Sequence, residues 1–181
     1  MRIAFDSNVI TYFLDANQAG YDPETDSDAI LAVQRIAAFR LFLHCEKDPD
    51  VLPTVGQEVE SIPDAAIRRE HTIWTHYHWH EVLLGSLNAD RLNARAAQLS
   101  TWHAGAKHAN DCRIIAECEQ SGADTFATFD TILIRNLREH AAVFIGSPDE
   151  CWQRLGVRRG APPRWRLEPE HPLFNAEWWR W

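Results

Sequence analysis

The sequence opens with Arg2-Ile-Ala-Phe-Asp-Ser-Asn-Val9, and this stretch decides the fold that the chain is expected to adopt. Its first part, residues 2–5, is a mostly apolar run too short for a helix, which favours a buried strand. The Asp-Ser-Asn that follows consists of residue types that favour helix N-caps, and a short helix is predicted over residues 9–14. The chain therefore begins with a strand that leads directly into a helix, with Asp6 at the junction.

The same order of strand and helix continues along the chain. Further strands are predicted at residues 51–54, 125–128 and 142–145. Helices are predicted from residue 28 to about 46 and at residues 55–61, 63–84, 88–102, 109–120, 132–137 and 148–155. This alternation favours an α/β fold in which a parallel sheet has helices on both faces. Beyond Gly156 the chain holds several prolines, and an irregular segment is expected there.

The composition is that of one compact domain with a full core. The chain has 181 residues, of which 45% are hydrophobic, and its formal net charge is −8. That charge argues against a protein held to nucleic acid by bulk positive charge, although it leaves room for a locally basic surface or a metal-bridged site. No run reaches the roughly 18 apolar residues of a membrane span. Residues 6–8 are polar where a signal peptide would be apolar. A cytoplasmic protein without a membrane partner is expected.

Two groups of potential metal-binding residues are interpreted as structural. The four cysteines contain no CxxC pair, and buried, reduced thiols are favoured over a metal site or disulfides. His76 and His80 would share one face of the helix predicted at residues 63–84, which makes them a possible zinc pair. No HExxH accompanies them, and structural or surface histidines are favoured here as well.

Four acidic residues are expected to meet at one edge of the sheet. Asp6 and Asp130 directly follow predicted strands, Glu58 lies four residues after the strand at 51–54, and Asp111 begins a crossover helix. Sites in open parallel sheets collect at the carboxyl ends of the strands. Clustered carboxylates repel one another, and Mg²⁺ or Mn²⁺ relieves that repulsion. Each acid alone is also typical of a helix cap, so the prediction depends on the combination.

Four segments, in this order, carry a resemblance to a known family. They are Phe5-Asp-Ser-Asn-Val9, Pro53-Thr-Val-Gly-Gln-Glu-Val59, Asn110-Asp-Cys-Arg-Ile-Ile-Ala-Glu-Cys118 and Gly122-Ala-Asp-Thr-Phe-Ala-Thr-Phe-Asp130. Over about residues 1–150 the chain resembles the PIN-domain family. The order of the segments and the 19-residue step from Asp111 to Asp130 match that family's pattern.

The resemblance implies a three-layer α/β/α fold and a Mg²⁺- or Mn²⁺-dependent nuclease that usually acts on RNA. Such proteins are often the toxin of a bacterial toxin–antitoxin pair, so RNA and an antitoxin protein are the implied partners. The resemblance carries the following residues over to this chain: Asp6, Glu58, Asp111 and Asp130 as catalytic acids, the three aspartates among them as metal ligands, and Asn8 and Thr128 as supports. Glu60 is an alternative to Glu58, and Asp124 is a weaker acidic candidate.

The predicted organisation is a nuclease domain at residues 1–150 and an Arg- and Trp-rich extension at residues 151–181. Residues 152–181 carry six Arg and three Glu, a net charge of +3, whereas residues 1–151 carry −11. Five of the eight tryptophans lie in this last part. Packing of the indoles on the domain or in a homodimer is favoured over RNA contact, because free indoles promote aggregation.

Two further interpretations stay open at this point. The polar, acidic loop at residues 17–28 is expected to be solvated, with docking of a basic antitoxin segment as the alternative. The whole chain could also be a catalytically silent PIN-like scaffold that binds RNA or a protein, or a different phosphoesterase fold with the same acids. The four ordered segments favour the nuclease.

Overall fold

The computed structural model describes residues 1–18 and 21–181 and has five strands and eight α-helices in that part of the chain. The strands are β1 Ile3–Phe5, β2 Asp50–Val51, β3 His80–Glu81, β4 Thr125–Ala127 and β5 Phe144–Gly146. The helices are α1 Ser7–Asn17, α2 Ala29–His44, α3 Pro53–Glu60, α4 Ala65–Tyr77, α5 Ala89–Leu99, α6 Ala109–Ser121, α7 Thr131–Leu137 and α8 Pro148–Leu155. The predicted alternation of strands and helices is confirmed.

All five strands run parallel, in the order β3-β2-β1-β4-β5. Helices flank this sheet, so the expected α/β/α architecture with a central parallel sheet is confirmed. β1 lies in the middle, where Phe5 is opposite Ala127 of β4. Both flanking faces of β1 and β4 are buried, which is why their sequences are apolar runs and not alternating ones. The carboxyl ends of the strands therefore lie at one edge of the sheet. Asp6 follows β1 at this edge.

The prediction of the second strand, at residues 51–54, extends too far at its C-terminal end. β2 stops at Val51, and Pro53 is the first residue of α3, with Leu52 in an extended conformation as its N-cap. Proline is well suited to the first turn of a helix, because its fixed φ fits and its missing N–H would have no partner there. Pro53 is therefore a helix start and not a strand end.

The long helix predicted at residues 63–84 is wrong in about its last third, residues 78–84. α4 ends at Tyr77, and His80–Glu81 forms β3, which pairs with β2 at the edge of the sheet. The less favoured alternative of a zinc pair loses its basis, because His76 lies on α4 and His80 lies in β3 and not on the same helix. His76 lies 3.2 Å from Glu81, and His80 lies 2.8 Å from Asp50.

The reason for this break is the burial of Trp79. Its side chain is only 5% exposed, and its ring makes edge contacts with Phe5 and Phe13 at centroid distances of 5.5 and 5.3 Å. A tryptophan in this position turns the chain out of the helix and towards β2. Aromatic contacts of this kind come from residues far apart in sequence, so helical periodicity does not report them.

The four cysteines are buried and unpaired, as expected. Burial raises the pKa values of the Cys118 and Cys151 thiols far above their usual range. The thiols are thus kept protonated inside the core, where they behave as small apolar side chains.

Residues 156–181, all of which are described, contain turns and no helix or strand. They fold back onto the domain. Trp178 packs against Phe39 of α2 at 5.3 Å, and Trp152 packs against Trp181 at 5.6 Å. Packing on the domain, one of the two expected arrangements, is therefore confirmed for Trp152, Trp178 and Trp179, whereas Trp165 and Trp181 are 41% and 44% exposed. The predicted boundary between residues 150 and 151 falls inside α8.

The acidic loop is held to α2 in the part that is described, which leaves out residues 19–20. The guanidinium of Arg35 lies 2.5 Å from Asp26 and 3.2 Å from Asp15.

Within residues 1–18 and 21–181, every helix is too short or too polar to cross a bilayer.

Candidate active site

Asp6 is the centre of the predicted acidic site. It follows β1 directly, is 7% exposed, and is the N-cap of α1. One carboxylate oxygen, Oδ1, accepts a hydrogen bond from the Ser7 N–H at 2.8 Å. The other, Oδ2, accepts from Thr128 Oγ1 at 2.5 Å and from Asn8 Nδ2 at 2.9 Å. The two residues assigned as supports therefore both contact Asp6.

The pKa of Asp6 is raised from 3.8 to about 6. Burial is the main cause, and the nearby carboxylates of Glu58 and Asp111 raise it further. The hydrogen bonds from Thr128 and Ser7 lower the pKa, but they do not offset the other effects. Three of the four predicted acids thus share one negative electrostatic environment.

Glu58 reaches this environment from α3. Its Oε2 accepts a hydrogen bond from Ser7 Oγ at 2.8 Å, and its Oε1 lies 3.5 Å from Asn110 Nδ2 at the start of α6. Its alternative, Glu60, is exposed and lines a groove beside Arg68 of α4. Glu58 and not Glu60 therefore faces Asp6.

Asp130 is connected to the site through Thr128, and its carboxylate caps a helix. Its Oδ1 accepts from the N–H groups of Ile132 and Leu133 at 2.7 and 2.9 Å, which caps α7. Its own N–H donates to Thr128 Oγ1 at 3.0 Å. Thr128 therefore links the backbone of Asp130 to the carboxylate of Asp6.

Asp124 does not belong to the site. It precedes β4, at the opposite edge of the sheet, and its carboxylate accepts a hydrogen bond from the Arg2 N–H at 2.7 Å. Asp124 therefore caps the entry to the strand.

Asp111 lies in the first turn of α6 and has two histidine partners. Its Oδ2 lies 2.9 Å from Nε2 of His103 and 2.9 Å from Nδ1 of His108. Sequence reasoning missed both histidines, although the spacing His103-x4-His108-x2-Asp111 is visible in the chain. The alternating histidines at 76–80 were the more conspicuous pattern.

Ser7 and Asn110 were also missed as contributors. Ser7 contacts both Asp6, through its N–H, and Glu58, through its hydroxyl. In the sequence, the only sign of this role is the position of Ser7 beside Asp6, and that position is also typical of a helix cap.

The chain matches no family model, and no curated protein or solved structure gives a significant match to it.

Proposed function

We propose that this protein is a Mg²⁺- or Mn²⁺-dependent endoribonuclease that hydrolyses RNA phosphodiester bonds at the carboxyl edge of its sheet. The observation that carries the proposal is the environment of the Asp6 carboxylate. Glu58 and Asp111, from α3 and α6, both add negative charge around this buried group. Like charges destabilise one another when gathered, and a divalent cation is the simplest partner that would offset them.

The donor set suits such a cation. Asp6, Asp111 and Asp130 are the residues that would hold it, with Glu58 completing the acidic set, and oxygen donors are what Mg²⁺ and Mn²⁺ prefer. Glu58, Asp111 and Asp130 are partly exposed, so ions and substrate have access from solvent. When bound, the metal supplies an activated water and positive charge at the scissile phosphate.

The chain's own residues orient the acids for this purpose. Thr128 and Asn8 both donate to the same oxygen of Asp6, which fixes the direction in which the carboxylate plane faces. Ser7 does the same for Glu58 through its hydroxyl. Hydrogen-bonded partners behind the ligands of a metal site contribute to both geometry and affinity.

The choice of RNA and the role of a toxin with an antitoxin partner rest on the resemblance of the four segments to the PIN-domain family. A small neighbouring reading frame for a DNA-binding protein is expected next to the gene. Sequencing of RNA ends after brief induction of the protein would identify the RNA that is cut, and unchanged RNA ends would count against the toxin role.

A catalytically silent scaffold is the second candidate, and one observation favours it. The carboxylates of Asp6, Asp111 and Asp130 all have hydrogen-bond partners within the chain, so none of them needs a metal to be satisfied. Calorimetric titration with Mg²⁺ and Mn²⁺ distinguishes the two, because a folded scaffold of this kind would show no binding heat.

The decisive variant for the nuclease is Asp6→Asn. It keeps the size of the side chain but removes the charge, and we expect RNA cleavage in Mn²⁺ to fall to background. The loss should exceed the roughly 10- to 100-fold that follows removal of a residue behind a metal ligand. Cleavage of a labelled RNA by purified protein measures this.

Asp124→Asn is the matched control, because Asp124 is an aspartate at the opposite edge of the sheet. It should cleave RNA like the wild type. Full activity in a folded Asp6→Asn protein, shown by an unchanged circular dichroism spectrum, would refute the assignment.

A further inference from the structure

The histidines around Asp111 form a compact cluster of three metal-ligating groups. Nε2 of His103, Nδ1 of His108 and a carboxylate oxygen of Asp111 all lie within 4.8 Å of one another. The two imidazole rings are close to each other, with centroids 3.9 Å apart and an angle of 39° between their planes. One ring nitrogen of each histidine therefore contacts the same carboxylate oxygen, Oδ2 of Asp111.

This cluster is held in place by its surroundings. The side chain of His103 is fully buried, in the turn between α5 and α6. His108 and Asp111 stand one helical turn apart at the start of α6, with side chains 14% and 23% exposed. A buried ligand beside two partly exposed ones leaves the cluster open to solvent on one side.

The distances are close to those that a metal ion requires. Ligand bonds of about 2.1 Å in a tetrahedral arrangement place the ligand atoms roughly 3.4 Å apart. The two contacts to Asp111 Oδ2 are 2.9 Å. An outward shift of about 0.5 Å, which rotation of the Asp111 and His108 side chains can supply at a partly exposed site, would make room for the ion.

Asn136 of α7 supports the ring of His103 from behind. Its amide lies 3.1 Å from His103 Nδ1. A metal on Nε2 requires a proton on Nδ1, and a turn of the Asn136 amide brings its oxygen into position to accept that proton. Metal-ligating histidines usually have such an acceptor behind them.

We infer that His103, His108 and Asp111 form a binding site for a divalent transition-metal ion of the Zn²⁺ type. Two imidazole nitrogens and one carboxylate oxygen suit Zn²⁺ or Co²⁺ better than Mg²⁺, which prefers oxygen ligands alone. Three protein ligands leave at least one coordination position for water. Asp111 would also be a ligand of the Mg²⁺ or Mn²⁺ in the proposed nuclease, and the two histidines distinguish the present site, which is defined by ligand geometry and not by the reaction.

Direct metal binding by the full-length protein tests the inference. After treatment with a chelator, the protein is titrated with Co²⁺ and followed by its visible absorption, and with Zn²⁺ by calorimetry. We expect one equivalent of each to bind, with the absorption pattern of nitrogen and oxygen ligands. No bound Zn²⁺ in the folded wild type would overturn the inference.

Two variants identify the ligands. His103 is fully buried, so His108→Ala and Asp111→Asn, at partly exposed positions, carry the test. Each should weaken Zn²⁺ binding by more than tenfold, and Asn136→Leu should weaken it by roughly 10- to 100-fold. Unchanged affinity in His108→Ala would overturn the assignment.

Two controls separate this site from other sources of binding. His76→Ala removes another histidine that lies beside a carboxylate, Glu81, but has no third ligand among the residues that the structure describes. It should bind Zn²⁺ like the wild type. Asp6→Asn, which disables the proposed nuclease, should also keep its Zn²⁺ affinity, so failure of either proposal can be recognised without the other. Loss of binding in His76→Ala would contradict the inference.

Discussion

Asp6 combines burial with three hydrogen bonds to its carboxylate, and this combination defines the site at the residue scale. The donors come from Ser7, Asn8 and Thr128. They hold the side chain in one orientation, yet the pKa stays raised, because burial and the nearby acids outweigh them. The position of Asp6 was predictable from local sequence. Glu58 and Asp111 were also predicted to meet it, but the hydrogen bonds that hold them, to Ser7 of α1 and to His103 and His108, were not.

The raised pKa of Asp6 predicts a pH-dependent stability of the metal-free protein. Its folded value, about 6, lies above the unfolded value of 3.8, so the protonated carboxyl is favoured in the folded state. The stabilisation is fully present below pH 3.8 and is lost as pH rises through 6. A difference of two units corresponds to about 3 kcal/mol.

Urea unfolding of chelator-treated protein between pH 4 and 7 measures this effect, and Asp6→Asn serves as the reference without the titrating group. Carboxylates remote from Asp6 contribute equally to both proteins, so the difference between the two curves reports Asp6 together with its electrostatic interactions with Glu58 and Asp111. Parallel curves across this range would contradict the raised pKa.

At the element scale, the sequence predicted most helices and strands but missed the edge strand β3. Local signals were sufficient where an element has its own caps. Ser147 and Glu150 form a capping box on α8, and Gly122 ends α6 in a left-handed conformation with φ 77°. β3 has only two residues and depends on its partner β2 for its hydrogen bonds. No helical or strand period can be read from so short a segment.

Trp79 is expected to hold α4 and β3 together. Replacing it with alanine removes its contacts with Phe5 and Phe13 and should lower the free energy of unfolding by about 3–5 kcal/mol. Tyr77→Ala, two residues earlier and 81% exposed, should change it by less than about 0.5 kcal/mol. Chemical denaturation compares the two, and equal effects would count against this role of Trp79.

At the scale of the whole molecule, the C-terminal segment is part of the folded unit. Trp179 is 8% exposed, and its Nε1–H donates to the Leu173 carbonyl at 2.8 Å. Arg40 of α2 donates to the carbonyls of Trp178, Trp179 and Arg180. These carbonyls lie outside regular secondary structure, and the half-buried guanidinium of Arg40 donates the hydrogen bonds that they accept. The positive charge at this contact comes from α2 and not from the segment.

Loss of the Trp179 side chain should loosen this segment. Trp179→Ala is expected to cost about 3 kcal/mol, because it leaves a cavity and removes one of the two hydrogen bonds to the Leu173 carbonyl, which keeps the one from the Ala176 N–H. Trp165→Ala, at an indole that is 41% exposed, should cost clearly less. Thermal unfolding and the rate of proteolysis within residues 156–181 measure both, and the same rate in both variants would argue against docking through Trp179.

The sequence by itself determined the parallel α/β fold, the position of Asp6 after the first strand and the caps of several helices. These features depend on residues close together in the chain, whose periodicity and capping chemistry are local. Only the tertiary structure decided three other features. The helix α4 ends before Trp79 and the chain continues into β3. Ser7 links Asp6 to Glu58, and His103 and His108 both contact Asp111. Each of these depends on contacts between separate elements, and burial, charge and hydrogen bonding across them arise only when the sheet assembles.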